Sequence, residues 1–202
     1  MRLNKPPAIS LSSKIAELSK LNILSLVLVA TFLGFYLGSN GEMEYNKLLI
    51  TLIGTALTAA GSGSLNHYLE RDADKKMDRT RNRPLPSGTL TPLFAVLYGM
   101  ALVVIGSITL AYFVNLLTGF LSLLTAFLYI VVYTPLKKIT WLNTSIGSIP
   151  GAIPIIGGWT AASNSISPMA LVLFGIMYLW QHPHFYAIAW LCKNDYAKAN
   201  FK

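Results

Sequence analysis

A row of oxygen-bearing side chains occupies every fourth position near the middle of the sequence. Asn66, Glu70, Asp74 and Asp78 follow one another at this spacing, and because four residues of an α-helix turn about 400°, the row stays on one side. Like charges at this spacing repel, so helix stability alone does not explain them. Amide and carboxylate oxygens suit a hard cation such as Mg²⁺, which binds through few carboxylates and a substrate phosphate. The row therefore predicts a site where a divalent cation holds an anionic phosphate.

Basic residues follow the row at once and recur later in the chain. Arg79, Arg81 and Arg83 could clamp a diphosphate by charge-assisted hydrogen bonds, and we prefer Arg83 because the proline after it fixes its local backbone. Lys137 and Lys138 are expected on the same membrane face and could reach the same anion. Ordinary anchoring of membrane segments explains the arginines and these lysines equally well.

Two histidines flank a proline in the last apolar run. His182 and His184 are harder to dismiss than a lone histidine, because proline frees a backbone carbonyl and kinks a helix and imidazole can ligate a metal or move a proton. We interpret His67, which lies beside the acidic row but off its face, as structural. Lys193 and Asp195 then bring polar groups back to the end of the bundle where the row is expected.

Charged residues are scarce and segregated in this sequence. Of its 202 residues, 53% are hydrophobic and 12% are charged, against roughly 25% charged in an ordinary soluble domain. Residues 84–136 and 139–192 contain no Asp, Glu, Lys or Arg, and each run far exceeds the ~20 apolar residues of one membrane span. We predict an all-α, polytopic transmembrane helical bundle of about six spans. The net charge of +8 does not indicate nucleic-acid binding, because the basic residues flank apolar segments.

Turn residues between the apolar runs predict the organisation of the chain. Residues 1–20 form a cytoplasmic N-terminal arm, in which Pro6 and Pro7 disfavour early helix and Ser12 can start a short interfacial helix. The second span flows into the acidic row, and its glycines and alanines allow close packing. The fifth span is rich in glycine and proline and is expected to be broken or kinked. The spans are predicted at 21–39, from 48 into the row, at 92–113, 116–133, 141–161 and 167–191, within a transmembrane domain of residues 21–202.

The distribution of basic residues predicts an orientation. All sixteen lysines and arginines except Lys47 fall in the arm, in the loops after the second and fourth spans, or after the sixth span. The positive-inside rule places the N-terminus and the acidic row on the cytoplasmic face. The one cysteine, Cys192, excludes an intramolecular disulfide. The N-terminus does not resemble a cleaved secretory signal, because about twenty polar-rich residues precede an apolar stretch too long for one.

Together these motifs resemble the UbiA superfamily of intramembrane prenyltransferases. The superfamily's N-x-x-x-D-x-x-x-D row matches Asn66, Glu70 and Asp74, with glutamate in place of the first aspartate. Within the superfamily, the closer resemblance is to the protoheme IX farnesyltransferase family, which shares the pattern D-x-D-x-x-M-x-R-T-x-x-R-P ending at Pro84. Further similar stretches are Tyr133-Thr134 with Lys137-Lys138-x-Thr140 and Asn143, Gly147-x-x-x-Gly151-Ala-x-Pro154-x-x-Gly157, and Trp180-Gln-x-Pro-His184-Phe through Asp195-Tyr196.

The last of these stretches separates the branches of the superfamily. Quinone-type members carry D-x-x-x-D there, whereas this sequence has His184 and Lys193-x-Asp195. The resemblance implies transfer of a farnesyl group from farnesyl diphosphate to the 2-vinyl group of protoheme, with water added, to give heme O for terminal oxidases. His184 would contact the heme iron or a propionate, or serve the addition of water.

The resemblance also implies roles for the charged residues and a cellular setting. The implied location is an integral membrane protein of a bacterial inner membrane, with heme A synthase or a terminal oxidase assembly as a further partner besides the lipid bilayer. The implied Mg²⁺ ligands are Asn66, Glu70 and Asp74, with Asp78 and Asp195 as weaker candidates, and the implied diphosphate-binding residues are Arg79, Arg83, Lys137, Lys138 and Lys193.

Other functions remain open at the level of sequence. The resembling families continue beyond the sixth span, so this chain would lack their C-terminal third and would be a fragment or be completed by another chain. One alternative is a UbiA-type prenyltransferase that acts on an aromatic or quinone precursor. A second is a cation- or proton-coupled transporter, although such proteins place acidic groups at mid-bilayer rather than at its edge. A third is an inactive fragment with a packing or assembly role.

Overall fold

The computed structural model describes residues 10–202, and it is helical throughout, with no strand in that range. Pro6 and Pro7 lie outside the described residues. A π-helical segment, Leu128–Tyr133, joins α5 to α6. The helices are α1 (Leu11–Leu18), α2 (Leu21–Gly38), α3 (Tyr45–Asp74), α4 (Pro92–Phe113), α5 (Leu116–Phe127), α6 (Thr134–Leu136), α7 (Asn143–Ser163), α8 (Pro168–Leu191) and α9 (Lys193–Lys198).

Four of the described helical stretches are long and apolar enough to cross a membrane. They are α2, α3, α4 and the stretch Leu116–Leu136, which combines α5, the π-helical segment and α6. Helices α7 and α8 have 21 and 24 residues, which is also sufficient length for a span. The all-α membrane fold is therefore confirmed, and the number of six spans stays a prediction.

Capping residues set the predicted helix starts. A side-chain oxygen that accepts a backbone N–H replaces one of the partners that a helix start lacks. The short helix expected in the arm is present as α1, its position at the membrane interface stays a prediction, and α4 has the predicted bounds. The capping side chains and their N–H donors are Ser10 with Ser13, Thr91 with Phe94, Asn115 with Thr118, and Ser167 with Ala170.

Small residues let neighbouring helices approach closely, as predicted for the second span. Helix α3 packs along α4, and α2 packs along α7. A Cβ atom added to Gly61 would lie 2.5 Å from the carbonyl oxygen of Gly99, and one added to Gly158 would overlap the carbonyl oxygen of Thr31. These contacts require glycine, because any larger side chain would push the backbones apart.

Helix α7 shows that the fifth span is not broken, whereas the alternative expectation of a kink stays a prediction. It is a continuous α-helix from Asn143 to Ser163, although Pro150 and Pro154 lie inside it. It packs against α2, α5 and α8, and such neighbours can hold a proline-containing membrane helix together.

The acidic row also ends one turn earlier than predicted. Helix α3 stops at Asp74, so Asp78 lies in the following loop rather than on the helix. The physical reason lies in the hydrogen bonds: the N–H groups of Lys76 and Met77 donate to carbonyl oxygens three residues back instead of four, and the Thr80 hydroxyl donates to the Asp74 carbonyl oxygen at 3.0 Å. The prediction of a fourth helical member of the row was wrong.

Several segments distant in sequence meet at the end of α3. The C-terminus of α1 is anchored there, since buried Leu18 packs with Leu85 and Ala95 and the hydroxyls of Ser19 and Tyr98 are hydrogen-bonded at 3.1 Å. The loop after α3, the residues after α6 and α9 are held at the same end by the contacts described below. This convergence positions the candidate site.

Candidate active site

The acidic row of α3 is buried where the helix ends. Asn66 and Asp74 are fully buried, and Glu70 is 7% exposed. Each of the three side chains contacts a different basic residue that comes from a different segment of the chain. The site is therefore a set of three polar pairs arranged along one face of α3.

Asn66 is held by partners on both sides of its amide. Its Oδ1 accepts a hydrogen bond from Lys20 Nζ, and its Nδ2 donates to Thr134 Oγ1 at 2.9 Å. Thr134 in turn donates to the carbonyl oxygen of Tyr129 at 2.8 Å, in the π-helical segment. Because lysine is only a donor, these contacts fix the amide with its oxygen toward Lys20. Burial lowers the pKa of Lys20 to about 8, against the opposing attraction of Glu70.

Glu70 forms an ion pair with Lys137. The Nζ atom lies 2.6 Å from Glu70 Oε1 and 4.6 Å from the ring centre of Tyr133. Burial disfavours the charged form of Lys137, but the Glu70 carboxylate outweighs it, and the pKa of Lys137 lies above its ordinary value. The pair holds a fixed positive charge beside the middle of the row.

Asp74 pairs with Arg83 from the loop after α3. Arg83 Nη1 donates to both carboxylate oxygens, at 3.1 and 2.9 Å. The Arg83 side chain is 21% exposed and the Asp74 side chain 1%, so the guanidinium partly faces outward while the carboxylate does not. The buried proline that follows Arg83 holds the backbone at this point.

The two weaker metal-ligand candidates lie in and beside the loop after α3. Asp78 is exposed and pairs with Lys198 at 2.5 Å and with Arg81 at 3.3 Å. The hydrogen bond from Lys198 holds the pKa of Asp78 below its usual range. Asp195, from α9, accepts from the backbone N–H groups of Asp78 and Arg79, at 3.2 and 3.4 Å. Neither carboxylate lies on the helical face formed by the row.

Three other predicted residues lie on exposed surface. Lys138 is exposed, Lys193 lies 5.3 Å from the ring centre of Trp190, and Arg79 is an exposed side chain. The structure thus distinguishes the two neighbouring lysines: Lys137 contacts the row and Lys138 does not. The sequence alone could not make this distinction.

The histidines of α8 have different surroundings. His182 Nδ1 lies 2.9 Å from the Tyr178 carbonyl oxygen, so Nδ1 is the donor and Nε2 can accept from Ser145 Oγ at 3.1 Å. This bond links α8 to α7. His184 is exposed and stacks on Trp180 with the ring centres 4.9 Å apart. His67 is 2% exposed in α3.

Sequence reasoning missed Lys20, Thr134 and Tyr129. Lys20 was grouped with the basic residues of the arm, and it approaches the row only because the junction between α1 and α2 adopts a left-handed backbone, with φ of 52° at Lys20. The similar stretch around Tyr133-Thr134 was the only signal for Thr134. The π-helical segment beside it is of a type that often accompanies functional sites, but its sequence gave no sign of it.

The donor chemistry of the row fits a hard divalent cation. Within residues 10–202, no group of three or more His, Cys, Asp and Glu side chains is close enough to hold a metal ion. Two carboxylates and one amide oxygen remain as the donor set, which suits Mg²⁺ because this ion keeps several water ligands. A cation at the row would have to share these oxygens with Lys20, Lys137 and Arg83.

The balance of charge in the site favours an anion. Three cationic side chains, Lys20, Lys137 and Arg83, face the two carboxylates of Glu70 and Asp74, which leaves one positive charge in excess. In a partly buried site such an excess is screened less than on an open surface. The arrangement can therefore bind a polyvalent anion, alone or with a divalent cation.

The chain is similar in sequence to curated proteins that are named as prenyltransferases. It is 43% identical over 195 residues to the protoheme IX farnesyltransferase of Solibacter usitatus, which covers 92% of this chain and 67% of that protein. It is 42% identical over 187 residues to the mitochondrial protoheme IX farnesyltransferase of Homo sapiens, covering 93% of this chain and 42% of that protein. A third or more of each relative thus lies outside the matched region.

A solved structure has the same fold. The UbiA homologue from Archaeoglobus fulgidus, bound to DMAPP and Mg²⁺, superimposes with a TM-score of 0.76 at 20% identity, over 94% of this chain and 67% of that one. The sequence profile of the UbiA prenyltransferase family matches residues 27–202. On these grounds, the chain belongs to the UbiA prenyltransferase family.

Proposed function

We propose that this chain carries the diphosphate-binding part of a protoheme IX farnesyltransferase. The reaction joins the farnesyl group of farnesyl diphosphate to the vinyl group of protoheme IX, with addition of water, and releases diphosphate and heme O. The observation that carries the proposal is the buried row Asn66, Glu70 and Asp74 with a separate cation at each member. The names of the relatives supply the substrates.

The proposal assigns Mg²⁺ to the row. Asn66, Glu70 and Asp74 would hold it, and Mg²⁺ bound there would neutralise charge that develops on the departing diphosphate. The fold neighbours from Archaeoglobus fulgidus, which are bound to Mg²⁺ together with DMAPP or GPP, support this assignment. Asp78 and Asp195 are weaker candidates, since both lie off the helical face of the row.

Basic residues would hold the diphosphate as its bond to the farnesyl group breaks. Lys137 and Arg83 are already directed at the row, and Arg79, Lys138 and Lys193 are expected to act from the exposed rim. Fixed positive charges stabilise the leaving group without having to reorganise, which is the main protein contribution in such a reaction. The electron pair of the vinyl group would then attack the allylic carbocation, and the new cation on the heme side chain would bond to water, which loses a proton. Apolar helices around the site would keep other water away from the allylic carbocation.

His184 is the proposed residue for the heme substrate. It lies seven residues, about two turns, before the end of α8 and stacks on Trp180 with an interplanar angle of 13°. Its exposed ring is free of the link to α7 that His182 makes. We assign it to contact with the heme or to the addition of water.

The same proposal gives the chain an orientation. The arm of residues 1–20 and the row would face the cytoplasm of a bacterium, with residues 21–202 as a partial transmembrane domain in its inner membrane. The distribution of basic residues supports this, since Lys47 alone falls on the other side. A terminal oxidase assembly or heme A synthase would receive the product.

A turnover assay tests the proposal directly. Membranes that contain the 202-residue chain would receive protoheme, farnesyl diphosphate and Mg²⁺, and the pigments would be separated by chromatography and mass. A farnesylated heme that disappears on addition of EDTA is the expected product. A parallel assay would use the chain extended with the C-terminal part of a relative, because the chain spans only part of the length of its relatives.

The outcomes separate the alternatives. Product from the extended chain alone would support the assignment and place part of the machinery outside these residues. Product with an aromatic or quinone precursor and none with protoheme would contradict the heme substrate. Absence of any prenylated product from both chains would contradict prenyl transfer itself.

A further inference from the structure

Asp195 holds two neighbouring backbone amides of the loop after α3. Its Oδ1 accepts from the N–H of Asp78 at 3.2 Å, and its Oδ2 accepts from the N–H of Arg79 at 3.4 Å. The residues involved are 116 and 117 positions apart in the sequence. One carboxylate thus spans two consecutive peptide groups and connects α9 to the loop.

These two amides are the ones that a longer α3 would have used. In a continued helix the Asp78 N–H would donate to the Asp74 carbonyl oxygen, and the Arg79 N–H to that of Lys75. The Thr80 hydroxyl occupies the Asp74 carbonyl oxygen instead. The Asp195 carboxylate therefore replaces the helical acceptors of these two amides and fixes the turn that follows the end of the helix.

Other contacts hold the segment of residues 193–202, here called the C-terminal strap, against the same place. Lys198 pairs with Asp78 at 2.5 Å. Met77 is 3% exposed and packs with Ala199 of the strap. The strap then reaches the second basic connection, where the backbone N–H of Lys202 donates to the carbonyl oxygen of Lys137 at 2.9 Å. The strap bridges two of the three segments that supply the cations of the site, the loop after α3 and the segment of Lys137.

From this arrangement we infer that Asp195 is a positioning residue of the site, which fixes the Asp78–Arg79 turn and through it the basic loop. The inference rests on the proposed function for its effect on diphosphate binding. Both carboxylate oxygens are directed at backbone N–H groups.

Hydrogen–deuterium exchange of the detergent-solubilised 202-residue chain tests the positioning role without turnover. In Asp195→Ala, exchange in a peptide of residues 76–83 should rise roughly tenfold, as expected when a hydrogen bond to a charged group is lost. Exchange in the interior of α3 should stay unchanged. Asp195→Asn, which keeps the size and one acceptor oxygen, should give an intermediate rise. Asp72→Asn is the matched control, because Asp72 is an exposed acid in the last turn of α3 whose carboxylate pairs with its neighbour Arg71 at 3.7 Å.

Binding of farnesyl diphosphate supplies the second readout. In Asp195→Ala the Kd for farnesyl diphosphate should rise by up to about tenfold. The Mg²⁺ concentration that gives half-maximal binding of farnesyl diphosphate should not change. A higher Mg²⁺ requirement with unchanged exchange would make Asp195 a metal ligand and overturn the inference. Exchange that rises equally throughout α3 would also overturn it, since the effect would then be global. If the wild-type chain binds no farnesyl diphosphate, the proposed function fails, but the exchange measurement still decides whether Asp195 fixes the loop.

Discussion

Lys137 Nζ lies 2.6 Å from Glu70 Oε1, and this ion pair joins residues 67 positions apart in the sequence. Lys138, the next residue, is exposed. From the sequence, the two lysines were equally good candidates for the site, because both follow the same span and both satisfy the positive-inside rule. Only the arrangement of α3 against α6 decides which of them faces the row.

Lys137→Met should therefore damage the protein in a way that Lys138→Met does not. Removal of the Lys137 charge leaves the buried Glu70 carboxylate without its ion-pair partner. This loss should lower the unfolding free energy by about 3 kcal/mol. It should also weaken binding of farnesyl diphosphate. Thermal unfolding in detergent and equilibrium binding measure the two effects.

Lys138→Met serves as the matched control for this pair. Its unfolding temperature should remain close to that of the wild type, and its affinity for farnesyl diphosphate should fall much less than that of Lys137→Met, because Lys138 acts only from the exposed rim. Equal losses in both variants would mean that the two lysines act only as membrane anchors.

Asp74→Asn should abolish Mg²⁺-dependent binding of farnesyl diphosphate and turnover. The amide keeps the shape of the side chain, but it removes the charge that would bind the metal and that now accepts from Arg83 at 2.9 and 3.1 Å. Membrane insertion should be intact, because the substitution makes the helix less polar. Titration of binding with Mg²⁺ and fractionation of membranes check both statements. Asp72→Asn, on the other side of the helix end, should behave as the wild type, and full activity of Asp74→Asn would contradict the metal assignment.

The sequence was sufficient for features that depend on local patterns. Apolar runs and capping residues predicted the bounds of α4, and the spacing of four predicted that Asn66, Glu70 and Asp74 share a helical face. The end of α3 could not be predicted, because no proline or glycine marks it. The chain after that end is held by the Thr80 hydroxyl and by the carboxylate of Asp195, which is more than a hundred residues away.

The partner of Asn66 was hidden for a similar reason. Lys20 is separated from Asn66 by 46 positions, and it enters the site because α1 is anchored on α3 and α4 through Leu18. No periodicity within either segment encodes that contact. Sequence reasoning could predict the helices themselves, but it could not predict the contacts between segments distant in the sequence.

The two histidines of α8 should respond differently to substitution. His182→Ala removes the hydrogen bond from Ser145 at 3.1 Å, so it should lower the unfolding free energy by about 1 kcal/mol and affect both substrates alike. His184→Ala should leave stability nearly unchanged and impair the handling of heme more than the binding of farnesyl diphosphate. Heme titration followed by absorbance, beside farnesyl diphosphate binding, separates the two. An equal loss of both substrates in His184→Ala would show that this residue is structural.

Adjacent glycines of α7 give a test of the packing between α2 and α7. A Cβ atom on Gly158 would overlap the carbonyl oxygen of Thr31, whereas one on Gly157 meets nothing within 4 Å. Gly158→Ala should therefore destabilise the protein by about 1–3 kcal/mol, the usual cost of overpacking a close contact. Gly157→Ala should be neutral or stabilise α7 by up to ~1 kcal/mol, since alanine favours the helix. Thermal unfolding of the two variants in the same detergent compares them directly, and equal unfolding temperatures would contradict the close approach of α2 to α7.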